Sequence, residues 1–298
     1  MTENHSPGDS NRITREYLDS ILIEMRHLGA VLPDTRFSLF GEAFRTPVMT
    51  AALSHLKGQK GSGMAEMAAG CAASGAVCWA GMGEERELED MLATGARVIK
   101  IIKPYAENKR ILGKIYHASQ HGALAVGMDM DHAFDGRGQH DVVLGEKMSG
   151  KTVDELRGLI KASDLPFVFK GVLSARDAIM AQELGAAGIV VSHHHGIMPW
   201  AVPPLRVLPE IVRAVKGRLK IFVDCGIFSG YDVFKALALG ADAACAGRVI
   251  IGPLQEKGPD GVREEIGRMT GELAGVMART ACRTLSDISA DLLWIPVR

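Results

Sequence analysis

Apolar positions in this 298-residue chain recur with two periods that alternate. From residue 47 onward, short runs of β-branched and other apolar residues each give way to a longer stretch with apolar residues three and four apart. The runs are PVMTA (47–51), GAVCWA (75–80), ARVIKII (96–102), ALAVGMD (123–129), PFVFKG (166–171), GIVVSH (188–193), KIFVDCG (220–226) and AACAG (243–247). Helical stretches between them include MAEMAAGCAASG, RILGKIYHASQHG, TVDELRGLIKAS, ARDAIMAQELGA and YDVFKALALGA. Strands that alternate with helices pair in parallel, with the helices outside. Eight such units predict a (β/α)8 TIM barrel, a single domain over residues 13–298. A doubly wound open sheet is the weaker reading, because no glycine-rich dinucleotide loop follows the first strand.

Local signals agree with this pattern. Several helical stretches stop at glycine. Ser174 with Asp177, Ser229 with Asp232, and Thr152 with Glu155 have capping-box spacing. REYLDSILIEMRHLGA predicts a further helix that stops at Gly29, and residues 1–12, polar throughout, read as a disordered tail without a signal peptide. The stretch GVREEIGRMTGELAGVMARTACRTLSDIS predicts a helix that closes the barrel bottom or packs on its side. The longest segment without a period is 130–151. A loop that follows a strand lies on the catalytic face of a barrel.

Composition removes several classes of function. There are 34 Lys and Arg against 35 Asp and Glu, with no basic excess for duplex nucleic acid. No apolar run is long enough to span a membrane. Cys71, Cys78, Cys225, Cys245 and Cys282 have no zinc-pair spacing and read as reduced core thiols of a cytoplasmic protein.

Candidate chemistry collects where the strands end. Strand four ends at Asp129, strand five at Lys170, strand six in Ser192-His193-His194-His195, strand seven at Asp224, and strand eight at Gly247-Arg248. If strand period continues, Ser192 and His194 share the barrel mouth while His193 and His195 turn away. Adjacent residues then cannot form a three-histidine metal cluster, and no metal is expected. His194 is the candidate general base and Asp129 its orienting partner. Gly226, the Ser229 helix start, Gly247 and Arg248 suit a phosphate.

The segments FKGVLSARDAIMAQELGAAGIVVSHHHG, VDCGIFSGYDVFKALALGADAACAGR and ACRTLSDIS resemble the FMN-dependent 2-hydroxy-acid oxidase and dehydrogenase family, which includes glycolate and lactate oxidases. The resemblance implies FMN as cofactor. Lys170 would sit by the flavin N1/O2 edge, Ser192 would touch the ring, and Asp224 and Gly226 would hold the ribityl chain and phosphate. Gly247 and Arg248 would close the phosphate site. Ala52, Leu53, Ser54 and Gly81 would line the flavin. It also implies His194 as base, Asp129 as its partner, and a homo-oligomer, a tetramer by family habit.

The chain departs from the family at several positions. The family's asparagine before the histidine is His193, and its glycine after it is His195. The arginine that grips the substrate carboxylate is Ile197, a phosphate arginine is Phe228, and residues of the third strand tip are Ile101 and Lys103. Lys103 and Arg137 are candidate replacement cations for substrate. The implied function is oxidation of a small hydroxy substrate that differs from simple 2-hydroxy acids, with oxygen, a quinone or a redox protein as acceptor. An FMN-dependent isomerase and a catalytically silent flavin-binding homologue are the alternatives.

Overall fold

All eight apolar runs become parallel strands in a computed structural model that describes residues 7–295. They are β1 (Val48–Thr50), β2 (Cys78–Ala80), β3 (Val98–Ile102), β4 (Ala125–Asp129), β5 (Phe167–Val172), β6 (Gly188–Val191), β7 (Lys220–Val223) and β8 (Ala243–Ala246). Their sheet order is β1-β8-β7-β6-β5-β4-β3-β2. The ring closes where Leu53, just past β1, bridges Ala80 of β2 in parallel. The expected (β/α)8 barrel is therefore the observed one.

Strand period two sorts the core. Met49, Trp79, Ile99, Ile101, Val168, Val190 and Phe222 belong to the cluster inside the barrel. Their chain neighbours Val48, Cys78, Val98, Phe167, Ile189 and Ile221 belong to the outer cluster shared with the helices. Trp79 and Phe222 meet edge to face, with centroids 5.1 Å apart. A hairpin of Phe37–Leu39 and Glu42–Phe44 precedes β1 and sends Leu39 and Phe44 into the inner cluster.

The helices are α1 (Ser10–Ser20), α2 (Gly63–Ser74), α3 (Glu85–Ala93), α4 (Asn108–Gln120), α5 (Val153–Lys161), α6 (Ala175–Glu183), α7 (Pro204–Val215), α8 (Gly230–Ala238), α9 (Arg248–Lys257) and α10 (Pro259–Arg279). Thr152 with Glu155 and Ser229 with Asp232 form complete capping boxes. Ser174 accepts from the Asp177 amide alone. The last long helix, α10, packs against α2, α8 and α9, on the side of the barrel. None of the described helices is long and apolar enough to cross a membrane.

The N-terminal region differs from the expectation. The helix begins at Ser10 rather than Arg15 and ends at Ser20, and Leu22–Ile23 then pair with Leu293–Trp294. Residues 7–12, expected in a disordered tail, are ordered, while residues 1–6 of that expectation lie outside the described residues. Their partners are distant in sequence. The Asp9 side chain caps α1 by accepting from the Asn11 and Arg12 amides. The Ser10 hydroxyl donates to the Met198 carbonyl, and Asn11 donates to the His195 carbonyl. A polar segment that finds its partners some 190 residues away leaves no local period to detect.

Candidate active site

The inward period continues past the strand ends. Lys103, Asp129, Lys170, Ser192 and Asp224 keep the parity of Ile101, Val168, Val190 and Phe222, and all five are buried. Asp129 sits between two cations. Its Oδ2 accepts from Lys103 Nζ at 2.8 Å, and its Oδ1 lies 3.1 Å from Lys170 Nζ. Lys170 also lies 3.8 Å from Asp224. Burial pushes the Asp129 carboxyl up, but the ammonium groups of Lys170 and Lys103 outweigh it and hold it well below the usual range. Burial pulls Lys170 down, and Asp129 and Asp224 more than restore it, so this lysine stays charged. Lys103 is thus committed to Asp129. Arg137 lies exposed in the loop after β4. Neither takes the position of a free substrate cation in the cavity.

The histidine run is not strand. β6 stops at Val191, and His194 and His195 have φ of 48° and 57°, in the left-handed region. Non-glycine residues adopt that region at a cost, and Cys225 in the neighbouring loop does so too. The period-two argument therefore fails at His194, and a turn aims its ring instead. The Ser192 hydroxyl accepts from the His194 amide and holds that turn. His193 is buried and turned toward α1, where Nε2 pairs with Thr14 Oγ1 at 2.7 Å and Nδ1 accepts from the Gly196 amide. Contrary to the expectation, His195 lines the same cavity as His194. Ile197 is exposed in the loop beyond and is not among the lining residues.

The direct partner of His194 is Asp131, not Asp129. His194 Nδ1 lies 2.9 Å from Asp131 Oδ1, 3.2 Å from Lys170 Nζ and 3.6 Å from Asp129 Oδ1. On the other side of the ring, His194 Nε2 lies 3.1 Å from His132 Nε2. His132 Nδ1 in turn lies 2.9 Å from Asp141 Oδ2. Burial and the Lys103 charge lower the His132 pKa, against the opposing pull of Asp141. Asp131, His132 and His194 also bring metal-ligand atoms within 4.8 Å of one another. Sequence reasoning missed Asp131, His132 and Asp141. Their only signal was membership of the long loop after β4, which carries charges and histidines.

A cavity of about 250 Å³ opens beside these groups. Ala51, Ala52 and Leu53 line one side of it, Lys170 and Asp224 lie beneath, and Cys225–Phe228 with Gly247 and Arg248 form the far end. Ser54 and Gly81 stand just behind the Leu53 edge, where a Cβ on Gly81 would strike Ser54 and the Ala52 and Leu53 carbonyls. Gly226 takes φ 81°, which glycine supplies without strain. At the far end, α9 starts at Gly247 with no side-chain cap, so its first amides point outward beside Arg248. Arg248 Nη2 donates to His195 Nδ1 at 2.6 Å and lies 3.4 Å from Asn11 Oδ1.

These features fit FMN. A flavin needs an apolar wall, a cation at its electron-accepting edge, and an anion pocket for its phosphate. Ala51–Leu53, Lys170, and the uncapped α9 terminus with Arg248 supply those three in one cavity.

Comparison with known proteins agrees with this. The family model described as FMN-dependent dehydrogenase matches residues 3–153 and 143–295. An L-lactate oxidase of Roseobacter sp. (strain GAI101) is 43% identical over 157 residues, which cover 52% of this chain and 42% of that protein. A peroxisomal (S)-2-hydroxy-acid oxidase of Oryza sativa subsp. japonica is 29% identical over 296 residues, 86% of this chain and 79% of the other. The match with the lactate oxidase thus spans less than half of that relative's length. Among solved structures, a mandelate oxidase variant with (S)-mandelic acid aligns with a TM-score of 0.87 at 28% identity, over 98% of this chain and 92% of that one. Another mandelate oxidase variant, which carries a monooxide FMN adduct, aligns with a TM-score of 0.86 at 28% identity, over 98% and 93%.

Proposed function

This chain belongs to the FMN-dependent dehydrogenase family, and from that premise we propose that it is an FMN-dependent oxidoreductase acting on a small hydroxy substrate. One observation carries the reading. A carboxylate-anchored imidazole, His194, and a buried ammonium, Lys170, stand 3.2 Å apart at the edge of the cavity that fits the cofactor.

FMN, when bound, supplies the two-electron acceptor. The chain supplies the rest. Ala52 and Leu53 would line the ring's side of the cavity, Ser54 and Gly81 would back that wall, and Ser192 fixes the turn that presents the base. Lys170, kept charged by Asp129 and Asp224, would offer a positive charge to a ring that gathers negative charge on reduction. Gly226, Gly247 and Arg248 would receive the phosphate. His194 takes the proton from the substrate hydroxyl, and Asp131 holds its other nitrogen so that Nε2 keeps the lone pair.

Among the described residues that line the cavity, Lys170 is paired with Asp129 and Arg248 with His195, so neither is free for a substrate carboxylate. Ile197 lies outside the cavity and Lys103 is bound to Asp129. A substrate without a carboxylate next to the reacting carbon suits it better than lactate or glycolate. The five cysteines, all free, support a reducing compartment such as the cytoplasm. Leu22, Met25, Leu28 and Leu32, exposed together beyond α1, support self-association.

The test is anaerobic mixing of the FMN-loaded protein with a panel of hydroxy compounds. Oxidation leaves bleached flavin and a carbonyl product in equal amounts. Isomerisation leaves neither in stoichiometric yield. A protein that gains no flavin spectrum with excess FMN would refute the reading.

A further inference from the structure

We propose that His132, backed by Asp141, is a second catalytic residue that donates a hydrogen bond to the same substrate oxygen whose proton His194 removes. This deepens the reading above and rests on it.

The pair is built symmetrically. Each imidazole has its Nδ1 set 2.9 Å from a carboxylate oxygen, Asp131 for His194 and Asp141 for His132. A carboxylate accepts and cannot donate, so His132 Nδ1 carries a proton toward Asp141. His194 Nδ1 has the Asp131 acceptor at 2.9 Å and the Lys170 donor farther off at 3.2 Å. With Asp131 the nearer partner, both Nε2 atoms present lone pairs. The two Nε2 atoms nonetheless lie 3.1 Å apart. Two lone pairs at that distance repel unless something positive lies between them, and a shared proton removes the conflict. Burial and the charges of Lys103 and His194 act against such a proton on His132, and the Asp141 carboxylate supports it.

Ring geometry argues for more than a resting proton bond. Two imidazoles meeting head-on would hold their centroids well beyond the observed 4.3 Å. These rings stand at 85° to each other, so the two Nε2 atoms meet off-axis, and we place the substrate oxygen beside them. A metal ion is disfavoured there because the Lys170 ammonium lies 3.2 Å from the His194 ring. A hydroxyl oxygen fits, since it can donate to one imidazole and accept from the other.

The roles then separate. His132 carries the shared proton and donates it as a hydrogen bond, while His194 is the neutral base. The substrate O–H bond breaks and an N–H bond forms at His194 Nε2. C=O forms as the C–H hydrogen leaves with its electron pair, which FMN, when bound, would accept as the oxidant. The His132 N–H bond stays intact and follows the oxygen through this change. Charge supports the end state. Four carboxylates, Asp129, Asp131, Asp141 and Asp224, surround only two ammonium groups, Lys103 and Lys170. The cluster can therefore hold both imidazoles protonated without excess positive charge.

Anaerobic stopped-flow on FMN-loaded wild type, His132→Ala, His132→Gln and Asp141→Asn, each with L-lactate, (S)-mandelate and their carboxylate-free analogues lactamide and mandelamide, tests this. Loss of one such donor reduces the limiting bleaching rate about 10²–10³-fold. The half-saturating concentration should change much less. Glutamine, which keeps an N–H donor, should recover part of the loss, and Asp141→Asn should fall between glutamine and wild type. A His132→Ala rate equal to wild type overturns the inference, as does a change confined to half-saturation. Failure of wild type to bleach with any compound tells instead against the proposed function. In that case ¹⁵N NMR of the imidazoles decides the pairing. His194 Nε2 should shift in His132→Ala, and an unchanged signal overturns the inference.

Discussion

Asp131 Oδ1 lies 2.9 Å from His194 Nδ1, closer by 0.7 Å than Asp129 Oδ1 at 3.6 Å. The carboxylate that orients the base is thus separate from the one that neutralises the lysines. The two aspartates should fail in different ways.

Asp131→Asn should leave FMN bound and slow substrate bleaching roughly 10²-fold or more, because the amide no longer fixes one imidazole orientation. Stopped-flow bleaching together with the flavin spectrum reads both effects. A variant as fast as wild type would return the orienting role to Asp129.

Asp129→Asn should act first on stability. It leaves two buried ammonium groups with half their compensation, a loss of about 3–5 kcal/mol. The sign with pH follows from the depressed carboxyl. Its stabilisation is present above the ordinary carboxyl pKa of about 3.9 and disappears as pH falls through the lower folded value. Urea midpoints between neutral pH and pH 3 should therefore fall more steeply in wild type than in Asp129→Asn.

Lys100 carries the opposite signature. It is buried, its Nζ donates to the Gly81 carbonyl, and desolvation lowers its pKa to about 8. The unfolded chain binds this proton up to about pH 10.4. Stability attributable to Lys100 should thus rise as pH climbs from 8 toward 10. Lys100→Met should gain up to about 3 kcal/mol at pH 7, less the lost Gly81 bond, and that gain should shrink above pH 8. Thermal melts across this range check it. A gain that does not vary with pH would mean that Lys100 is not titrating.

Phe228 lines the end of the cavity proposed above for the phosphate. Phe228→Arg should tighten FMN about tenfold, from one added charge-assisted bond. Arg248→Ala should weaken it by a similar factor or more. Riboflavin, which has no phosphate, should respond to neither. Equal changes for both flavins would show that the residues act on the ring.

The barrel and much of its rim were legible in sequence because period two carries through the strand ends. Val168 to Lys170, Val190 to Ser192 and Phe222 to Asp224 are each one step of the same alternation. His194 was identified by its place in the run, but the period argument for its direction failed. The chain leaves strand geometry at Val191 and turns through the left-handed region. Asp131 follows Asp129 by two residues, so parity could not choose between them. His132 and Asp141 meet through a loop without a period, and only three-dimensional closure shows that they pair.

Helix α1 has a consequence for the order in which the protein assembles. Thr14 reaches His193, Asn11 reaches His195 and Arg248, and Arg15 reaches Gly226 and Asp232. These contacts join residues 179 to 237 positions apart. Contacts of such long range reward the chain only after large loops have closed, so they form late. Helix α1, made before the β6, β7 and β8 loops, must wait for them before it can dock. The cofactor mouth is then the last part of the barrel to set, and flavin uptake during refolding should lag behind the recovery of helix and strand.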